Sequence, residues 1–192
     1  MGTSFNFTDG EKNYLSRLAR MSIEAGLLGK VVDAVPAPPE TLERPQSPLL
    51  RHLGVFVTIS IAGALRGCIG SIVGQEPLYL NIWRMAASAA FSDPRFPPLT
   101  LDEWRNNVEL AISVLYELTP CPDPEAVEVG RHGLVLQYQS RSGVFLPQVP
   151  VEQGWNRQAY LENLCFKAGL SKDSWQQPGA SLFWFEALVF PA

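Results

Sequence analysis

The sequence has few of the residues on which common scaffolds and metal sites depend. Its three cysteines are an odd number among 192 residues, and none are paired at C-x-x-C spacing. This disfavours both a disulfide framework and a structural zinc site. Two histidines are too few for a histidine-rich metal centre. We therefore expect a reduced, cytoplasmic protein with no resident metal and no cofactor.

Long apolar runs and phosphate-binding loops are also missing. No stretch approaches the roughly 18 apolar residues that a membrane-spanning helix needs, and residues 1–10 are too polar for a signal peptide. Neither of the common glycine-rich nucleotide-binding motifs is present. The formal net charge of −4 disfavours nucleic acid, whose phosphates attract basic proteins. We expect no membrane or nucleic-acid partner.

The hydrophobic residues, 46% of the chain, follow both helical and strand periods. Thr8 and Glu11 have capping-box spacing and precede a helical apolar pattern, which predicts a first helix ending near Gly29. Apolar residues alternate over 54–62, and Gly63 permits a tight turn from which 64–72 returns as a second strand, which predicts a β-hairpin. Helices mixed with hairpins, without a βαβ repeat, are typical of an α+β fold: an antiparallel sheet with packed helices in a two-lobed, compact unit.

The same patterns divide the chain into segments. We expect a helix within residues 1–34, a proline-rich loop over 35–49, and a main α+β body over 50–192 with room for two subdomains. The body contains a pattern that predicts a second hairpin turning at residues 142–143. A hydrophobic run over 181–190 predicts one final strand.

Residues 65–70, Leu-Arg-Gly-Cys-Ile-Gly, lie on the second predicted strand and carry the most distinctive chemistry. Arg66 and Cys68 share a face of that strand, where the guanidinium would favour a thiolate and hold a carboxylate or phosphate. Gly67 lets a ligand or another backbone approach closely. Spacing alone favours a structural alternative, in which Cys68 is a small core residue and the glycines mark a bulge.

His132 is the residue that we expect to act as a base on Cys68. It lies among glycines in what the sequence predicts to be an exposed turn. An imidazole within hydrogen-bond reach of a thiol activates it as a nucleophile. The alternative is a turn histidine with no chemical role, and the sequence does not decide between the two.

Two further segments supply candidate ligand-binding residues, in addition to Arg66 and Gly67. Asp93 and Arg95 lie in a loop that its prolines exclude from regular structure. They either present a charged pair to a ligand or pair with each other and fix the loop. Glu152 and Trp155 either line a ligand pocket or are a solvated glutamate and a core tryptophan.

Five segments of the sequence, residues 65–70, 93–98, 130–133, 146–155 and 165–175, resemble in content and in order the motifs of the AMMECR domain family. The resemblance covers roughly residues 13–190, and its ending is similar to the bacterial and archaeal branch known as protein A of the AmmeMemoRadiSam system. It implies a two-lobed α+β fold, a cleft edged by the first motif, and association with a Memo-like protein and a radical-SAM enzyme. It implies no established activity.

Two hypotheses from different classes follow for the function. In the first, the chain is an enzyme or the substrate-handling part of one, with Cys68 as nucleophile or thiol carrier and His132 as its base. Arg66 would clamp an anion of an unidentified small molecule, and Asp93 and Glu152 would orient it. In the second, the chain is a non-catalytic adaptor with a structural thiol, and the motif strand and loop dock the Memo-like or radical-SAM partner.

Overall fold

The computed structural model describes residues 6–30, 34–42, 44, 47–106 and 108–192. The chain divides into two compact units. Among the described residues, the N-terminal unit contains those from position 6 to Leu115 and also Leu188–Ala192, whereas Tyr116–Ala187 belong to the C-terminal unit. Helices and antiparallel strand pairs occur in both units, which confirms the predicted α+β class.

The N-terminal unit is built on a four-stranded sheet. Its strands are β1 (Val55–Ile61), β2 (Ala64–Ser71), β3 (Val108–Leu115) and β8 (Ala187–Pro191), in the order β2-β1-β3-β8. β1 pairs antiparallel with both β2 and β3, so β2 is an edge strand. The first predicted hairpin is confirmed, and its turn uses Ala62 and Gly63, whose φ angles are 50° and 76°.

Three helices accompany this sheet: α1 (Asp9–Leu27), α2 (Leu78–Phe91) and α3 (Leu101–Arg105). α1 begins at the predicted capping box of Thr8 and Glu11. α2 packs against α1, where the hydroxyl of Ser22 donates to the carbonyl of Trp83 at 2.6 Å. α2 also packs on β1 and β2, and the β1 residues on the helix side are fully buried. The core of this unit therefore lies between the sheet and its two long helices.

The described part of the proline-rich segment is anchored to α1. The carboxylate of Glu11, although fully buried, accepts hydrogen bonds from Arg44 and Ser47. Short 3₁₀ helices at Glu40–Leu42 and Pro48–Leu50 interrupt the extended chain that the prolines predicted. Positions 43, 45 and 46 of this predicted loop lie outside the described residues.

The C-terminal unit has its own four-stranded sheet. Its strands are β4 (Thr119–Pro120), β5 (Gly133–Tyr138), β6 (Arg141–Phe145) and β7 (Ser181–Phe185), in the order β4-β7-β5-β6. Its helices are α4 (Gln148–Glu152) and α5 (Arg157–Lys167). The apolar face of α5, with Tyr160 and Leu164, is buried together with Leu134 and Leu136 of β5. The helical spacing of Tyr160, Leu161, Leu164 and Cys165 in the sequence predicts a helix, which α5 confirms, whereas no sequence pattern predicts α4.

Two element predictions were wrong in detail. The second hairpin turns at Gln139, whose φ is 56°, because Gly143 is needed inside β6. A Cβ on Gly143 would lie 2.8 Å from the carbonyl oxygen of Leu164, so this glycine permits close packing of α5. The predicted final strand is broken at Glu186 into β7 and β8, which belong to different sheets.

Candidate functional site

Residues 65–70 lie on the edge strand β2, and the strand register decides which side chains share a face. Cys68 is opposite Thr58, and Gly67 is opposite Ile59. Ile59 is fully buried, so Gly67 lies on the inner face toward α2. Cys68 and Thr58 lie on the outer face of the sheet, where both are partly exposed.

The glycines of this segment are explained by close packing within the chain. A Cβ on Gly67 would lie 2.2 Å from the backbone oxygen of Ala89 in α2. A Cβ on Gly70 would lie 2.3 Å from the ring of Phe56. Of the two predicted uses of Gly67, approach of another backbone is the one observed. Contact between Gly67 and a ligand remains a prediction.

Arg66 is the extra residue of a β-bulge. Ile59 pairs with Gly67 while the next residue, Ser60, pairs with Leu65, so the register passes over Arg66. The structural alternative had predicted a bulge here. A bulge changes the direction of the side chain at the extra position. The Arg66 side chain therefore extends away from β2, toward α3 and the loop before it.

The guanidinium of Arg66 joins β2 to α3 and to the loop before it. Its Nε and Nη2 donate to the two carboxylate oxygens of Glu103 at 2.7 and 3.1 Å. Nη1 donates to the carbonyl of Pro97 at 2.9 Å, and Nη2 donates to that of Pro98 at 3.3 Å. These bonds use four of the five N–H groups of an arginine. A ligand anion would have to exchange with them, and the clamp role remains a prediction.

Asp93 and Arg95 close the free edge of β2 at Cys68. The Cys68 N–H donates to Asp93 Oδ2 at 2.8 Å, and Arg95 Nη2 donates to the Cys68 carbonyl at 3.1 Å. Arg95 also donates to both carboxylate oxygens of Asp93, at 2.9 and 2.7 Å. The pair therefore occupies the backbone groups through which an edge strand would bind another strand. Pairing between the two residues was one of their two predicted roles.

Both carboxylates of this network are ionised at neutral pH. The hydrogen bonds from Arg95 hold the pKa of Asp93 well below its usual range, even though its burial opposes this effect. The hydrogen bonds from Arg66 lower the pKa of Glu103 to about 2. The positive charges of two guanidinium groups and the negative charges of two carboxylates therefore neutralise one another around β2.

The sulfur of Cys68 has polar neighbours. The hydroxyl of Thr58 donates a hydrogen bond to Cys68 Sγ at 3.3 Å. The guanidinium of Arg95 binds the carbonyl of Cys68, and its own pKa is raised above its usual value, chiefly by its hydrogen bonds to Asp93. A hydroxyl and a guanidinium are both groups that stabilise a thiolate, the nucleophilic form of cysteine.

The other two cysteines have different surroundings. Cys165 is fully buried in the core of the C-terminal unit, and burial raises the pKa of its thiol. Cys121 is partly buried, its thiol donates to the carbonyl of Asp123, and burial raises its pKa as well. Both environments favour the neutral thiol, which reacts poorly.

His132 lies in the C-terminal unit, and the expectation that it is exposed was wrong. It is only 7% exposed, because its ring packs against Trp184, with the two ring centres 4.4 Å apart. Its Nδ1 accepts the backbone N–H of Glu128 at 3.0 Å. Burial lowers its pKa, so the neutral imidazole is favoured. The role of His132 as a base for Cys68 remains a prediction.

Glu152 and Trp155 also belong to the C-terminal unit. Glu152 ends α4 and is exposed. Trp155 is partly buried and meets the ring of Phe145 edge-on at 5.4 Å. These positions match the structural interpretation of a solvated glutamate and a core tryptophan. Ligand binding by either residue remains a prediction.

Two residues of the network, Thr58 and Glu103, were not predicted as part of the site. Thr58 had a weak signal, since it lies on the polar face of the alternating strand that precedes residues 65–70. In the sequence, Glu103 has capping-box spacing with Thr100, which explains it as a helix-capping residue, and it does cap α3. Its second role, as the partner of Arg66, depends on contacts between segments that sequence spacing does not reveal.

The described residues contain no set of three or more His, Cys, Asp or Glu side chains arranged to bind a metal ion. None of the helices described is long and apolar enough to span a membrane.

Comparison with known proteins gives consistent matches along the chain. The AMMECR1 family model matches residues 16–190. A Methanopyrus kandleri protein is 38% identical, covering 99% of this chain and 91% of that protein. A Methanocaldococcus jannaschii protein is 38% identical, covering 94% and 89%. The crystal structure of the uncharacterized protein PH0010 from Pyrococcus horikoshii matches with a TM-score of 0.80 at 37% identity, covering 93% of this chain and 89% of that one. The chain thus belongs to the AMMECR1 family.

Proposed function

We propose that the chain is an enzyme, or the substrate-handling component of one, and that the Cys68 thiol is its reacting group. The observation that carries the proposal is the setting of the partly exposed Cys68, whose sulfur accepts a hydrogen bond from the Thr58 hydroxyl and whose carbonyl accepts one from the Arg95 guanidinium. Hydrogen-bond donors and nearby cations are groups that stabilise a thiolate, which attacks electrophilic centres. The substrate in this proposal is an electrophilic small molecule that reaches the outer face of the sheet.

The contacts assign different roles to the two arginines. In the proposal, Arg95 is the cation held at Cys68 through the carbonyl of that residue, and Asp93 orients it through a two-bond ion pair. Arg66 holds the end of the 93–98 loop, since its N–H groups donate to Glu103 and to the carbonyls of Pro97 and Pro98. In the proposal, His132 is the base, and Glu152 and Trp155 are ligand contacts.

Thr58 provides a direct test. We expect Thr58→Val to slow alkylation of Cys68 by iodoacetamide at pH 7 by about fivefold to tenfold, because the sulfur loses a donor that stabilises its anion. Thr58→Ser should stay within about twofold of the unaltered chain, because it keeps the hydroxyl. Rates at each cysteine are measured by mass spectrometry of peptides after timed labelling.

Ser60→Ala is the matched control, because Ser60 lies on the same face of β1 and pairs with Leu65 instead. Equal rates at Cys68 in Thr58→Val, Thr58→Ser and Ser60→Ala would mean that the hydroxyl does not support the thiol. The chemical basis of the proposed function would then be lost.

The proposed partners are a Memo-like protein and a radical-SAM enzyme, as the resemblance of the chain's motifs to the AmmeMemoRadiSam branch implies. In this part of the proposal, the chain binds or prepares a substrate that those proteins act on. Co-expression of the three proteins from one source tests it. We expect the tagged chain to retain at least one of the two through size-exclusion chromatography, and retention of neither would oppose the partnership.

The adaptor function is the second candidate, and the closed network favours it. The charged groups of Arg66, Asp93 and Glu103 are engaged within the chain, while Leu65 beside them is 44% exposed. A rigid edge with an exposed leucine is a suitable docking surface. Loss of partner retention in Leu65→Ser, with Cys68→Ser and the exposed control Val189→Ser unaffected, would favour the adaptor over the enzyme.

A further inference from the structure

Glu103 occupies a central place in the network although it touches no part of Cys68. Its carboxylate accepts two hydrogen bonds from Arg66, at 2.7 and 3.1 Å. The same carboxylate accepts the backbone N–H and the hydroxyl of Thr100, at 2.8 and 2.9 Å. Since the start of α3 fixes the Glu103 side chain on one side, it is a firm anchor for Arg66 on the other.

The anchored guanidinium of Arg66 acts on the 93–98 loop. It donates to the carbonyls of Pro97 and Pro98, which are adjacent at the end of that loop. The bulge in β2 takes Arg66 out of register and allows this reach. Its side chain is only 13% exposed, so solvent competes little for these bonds.

The other end of the loop holds Cys68. Asp93 accepts the Cys68 N–H, and Arg95 donates to the Cys68 carbonyl. Between the two ends, the ring of Phe96 lies 5.9 Å from the Arg66 guanidinium carbon and 5.5 Å from that of Arg95. Contacts therefore run from Glu103, through Arg66 and the loop, to the backbone of Cys68.

We infer that Glu103 is a positioning residue of the Cys68 site, which acts by holding Arg66 so that the 93–98 loop keeps Asp93 and Arg95 on the backbone of Cys68. The inference rests on the proposed function in one respect only, since it takes the Arg95–Cys68 contact to matter for reactivity. The positional part stands on the contacts alone. Loss of the Glu103 charge lets the loop end at Pro97 and Pro98 move away from β2.

Amide hydrogen exchange of Cys68 tests the positional part. We expect Glu103→Gln to accelerate exchange of the Cys68 N–H on the order of tenfold, because its acceptor, Asp93, moves with the loop. Glu109→Gln is the matched control, since Glu109 is an exposed carboxylate on β3 of the same sheet, paired opposite Ser60. It should leave Cys68 exchange unchanged, and the Val57 amide should stay protected in both variants.

A double-variant cycle tests whether Glu103 acts through Arg95. In the unaltered background, Glu103→Gln should slow iodoacetamide labelling of Cys68 by about fivefold at pH 7. In an Arg95→Gln background, the same substitution should change the rate by less than about twofold, because the group that it positions is gone. A general loosening of the fold would change the rate by the same factor in both backgrounds.

Two results overturn the inference: unchanged Cys68 exchange in Glu103→Gln, or equal slowing of labelling in both backgrounds. The proposed function fails separately, if Cys68 is unreactive in the unaltered chain. In that case the exchange measurement still decides whether Glu103 positions the loop. If Cys68 is reactive and Glu103→Gln changes neither measurement, the proposed function stands and the inference fails.

Discussion

At the scale of single residues, the charged groups near Cys68 form ion pairs with one another. Arg95 binds Asp93 through two bonds, and Arg66 binds Glu103 in the same way. Each pair also reaches backbone groups, so removing one member leaves several partners unsatisfied. The network binds Cys68 through its backbone N–H and carbonyl, whereas its sulfur accepts a hydrogen bond from the Thr58 hydroxyl at 3.3 Å. This contrast makes Cys68, rather than an arginine, the expected reacting group.

Asp93 is expected to make the stability of the chain depend on acid pH. Its side chain is 2% exposed and paired with Arg95, so Asp93→Asn should lower the free energy of unfolding by about 2–4 kcal/mol at pH 7. Because its folded-state pKa is depressed, the carboxylate's contribution is complete above the unfolded pKa of about 3.9 and is lost as pH falls below it. Urea unfolding at several pH values measures this.

The stability difference between the unaltered chain and Asp93→Asn should shrink by about 1–2 kcal/mol from pH 5 to pH 2. Asp102→Asn, at an exposed carboxylate in α3, is the control and should show little difference at either pH. A difference for Asp93→Asn that is the same at pH 2 and pH 5 would contradict the pairing described here.

At the scale of elements, the site depends on how closely α2 approaches β2. The backbone of α2 at Ala89 fills the space where Gly67 has no side chain, and the 93–98 loop follows directly after α2. A strand held this closely to a helix, with a bulge at the neighbouring residue, is a rigid support. The position of Cys68 is therefore a consequence of packing between two elements.

Gly67→Ala should destabilise the chain by about 2–4 kcal/mol, because the new Cβ meets a backbone oxygen that cannot rotate away. Gly10→Ala is the control. Gly10 lies in the first turn of α1, and its Cβ would meet the end of the flexible Leu42 side chain at 3.1 Å. Alanine favours a helix there, so stability should be equal or slightly higher. Thermal unfolding measures both, and equal stability of Gly67→Ala and the unaltered chain would contradict the packing argument.

The sequence predicted the elements whose causes are local. The capping boxes of α1 and α3 and the alternation of β1 are patterns within a few residues, and the structure confirms them. Contacts made by distant segments were not predictable in the same way. Spacing could not show that Gly143 serves α5 rather than a turn, or that Glu103 binds Arg66. A glycine or a capping glutamate has the same local pattern whether or not it has a second partner.

At the scale of the whole molecule, the chain forms two units, and the N-terminal one is discontinuous. The last strand, β8, returns to the sheet that contains β1, β2 and β3. Phe190 on this strand is 6% exposed, and the centre of its ring lies 6.2 Å from that of the Phe7 ring. The sheet that carries Cys68 is thus completed by residues from the far end of the chain.

Phe190→Ala should therefore destabilise the chain by about 3–4 kcal/mol through a cavity in the N-terminal unit. Val189→Ala, at a neighbour that is 42% exposed, should cost less than about 0.5 kcal/mol. In hydrogen exchange, the loss of protection for Phe190→Ala should fall mainly on β1 and β3, while α5 keeps its protection. Equal loss in both units would show that they unfold as one.

The central claim is that Cys68 is a reactive thiol held by its surroundings, and the relative labelling of the three cysteines tests it most directly. The intact, folded chain is treated with iodoacetamide at pH 7, and the rate at each cysteine is measured by mass spectrometry. The account predicts that Cys68 reacts at least about tenfold faster than Cys121, because burial raises the pKa of the Cys121 thiol and so favours its neutral form. The buried Cys165 should be slowest. A rate at Cys121 equal to or above that at Cys68 would contradict the account.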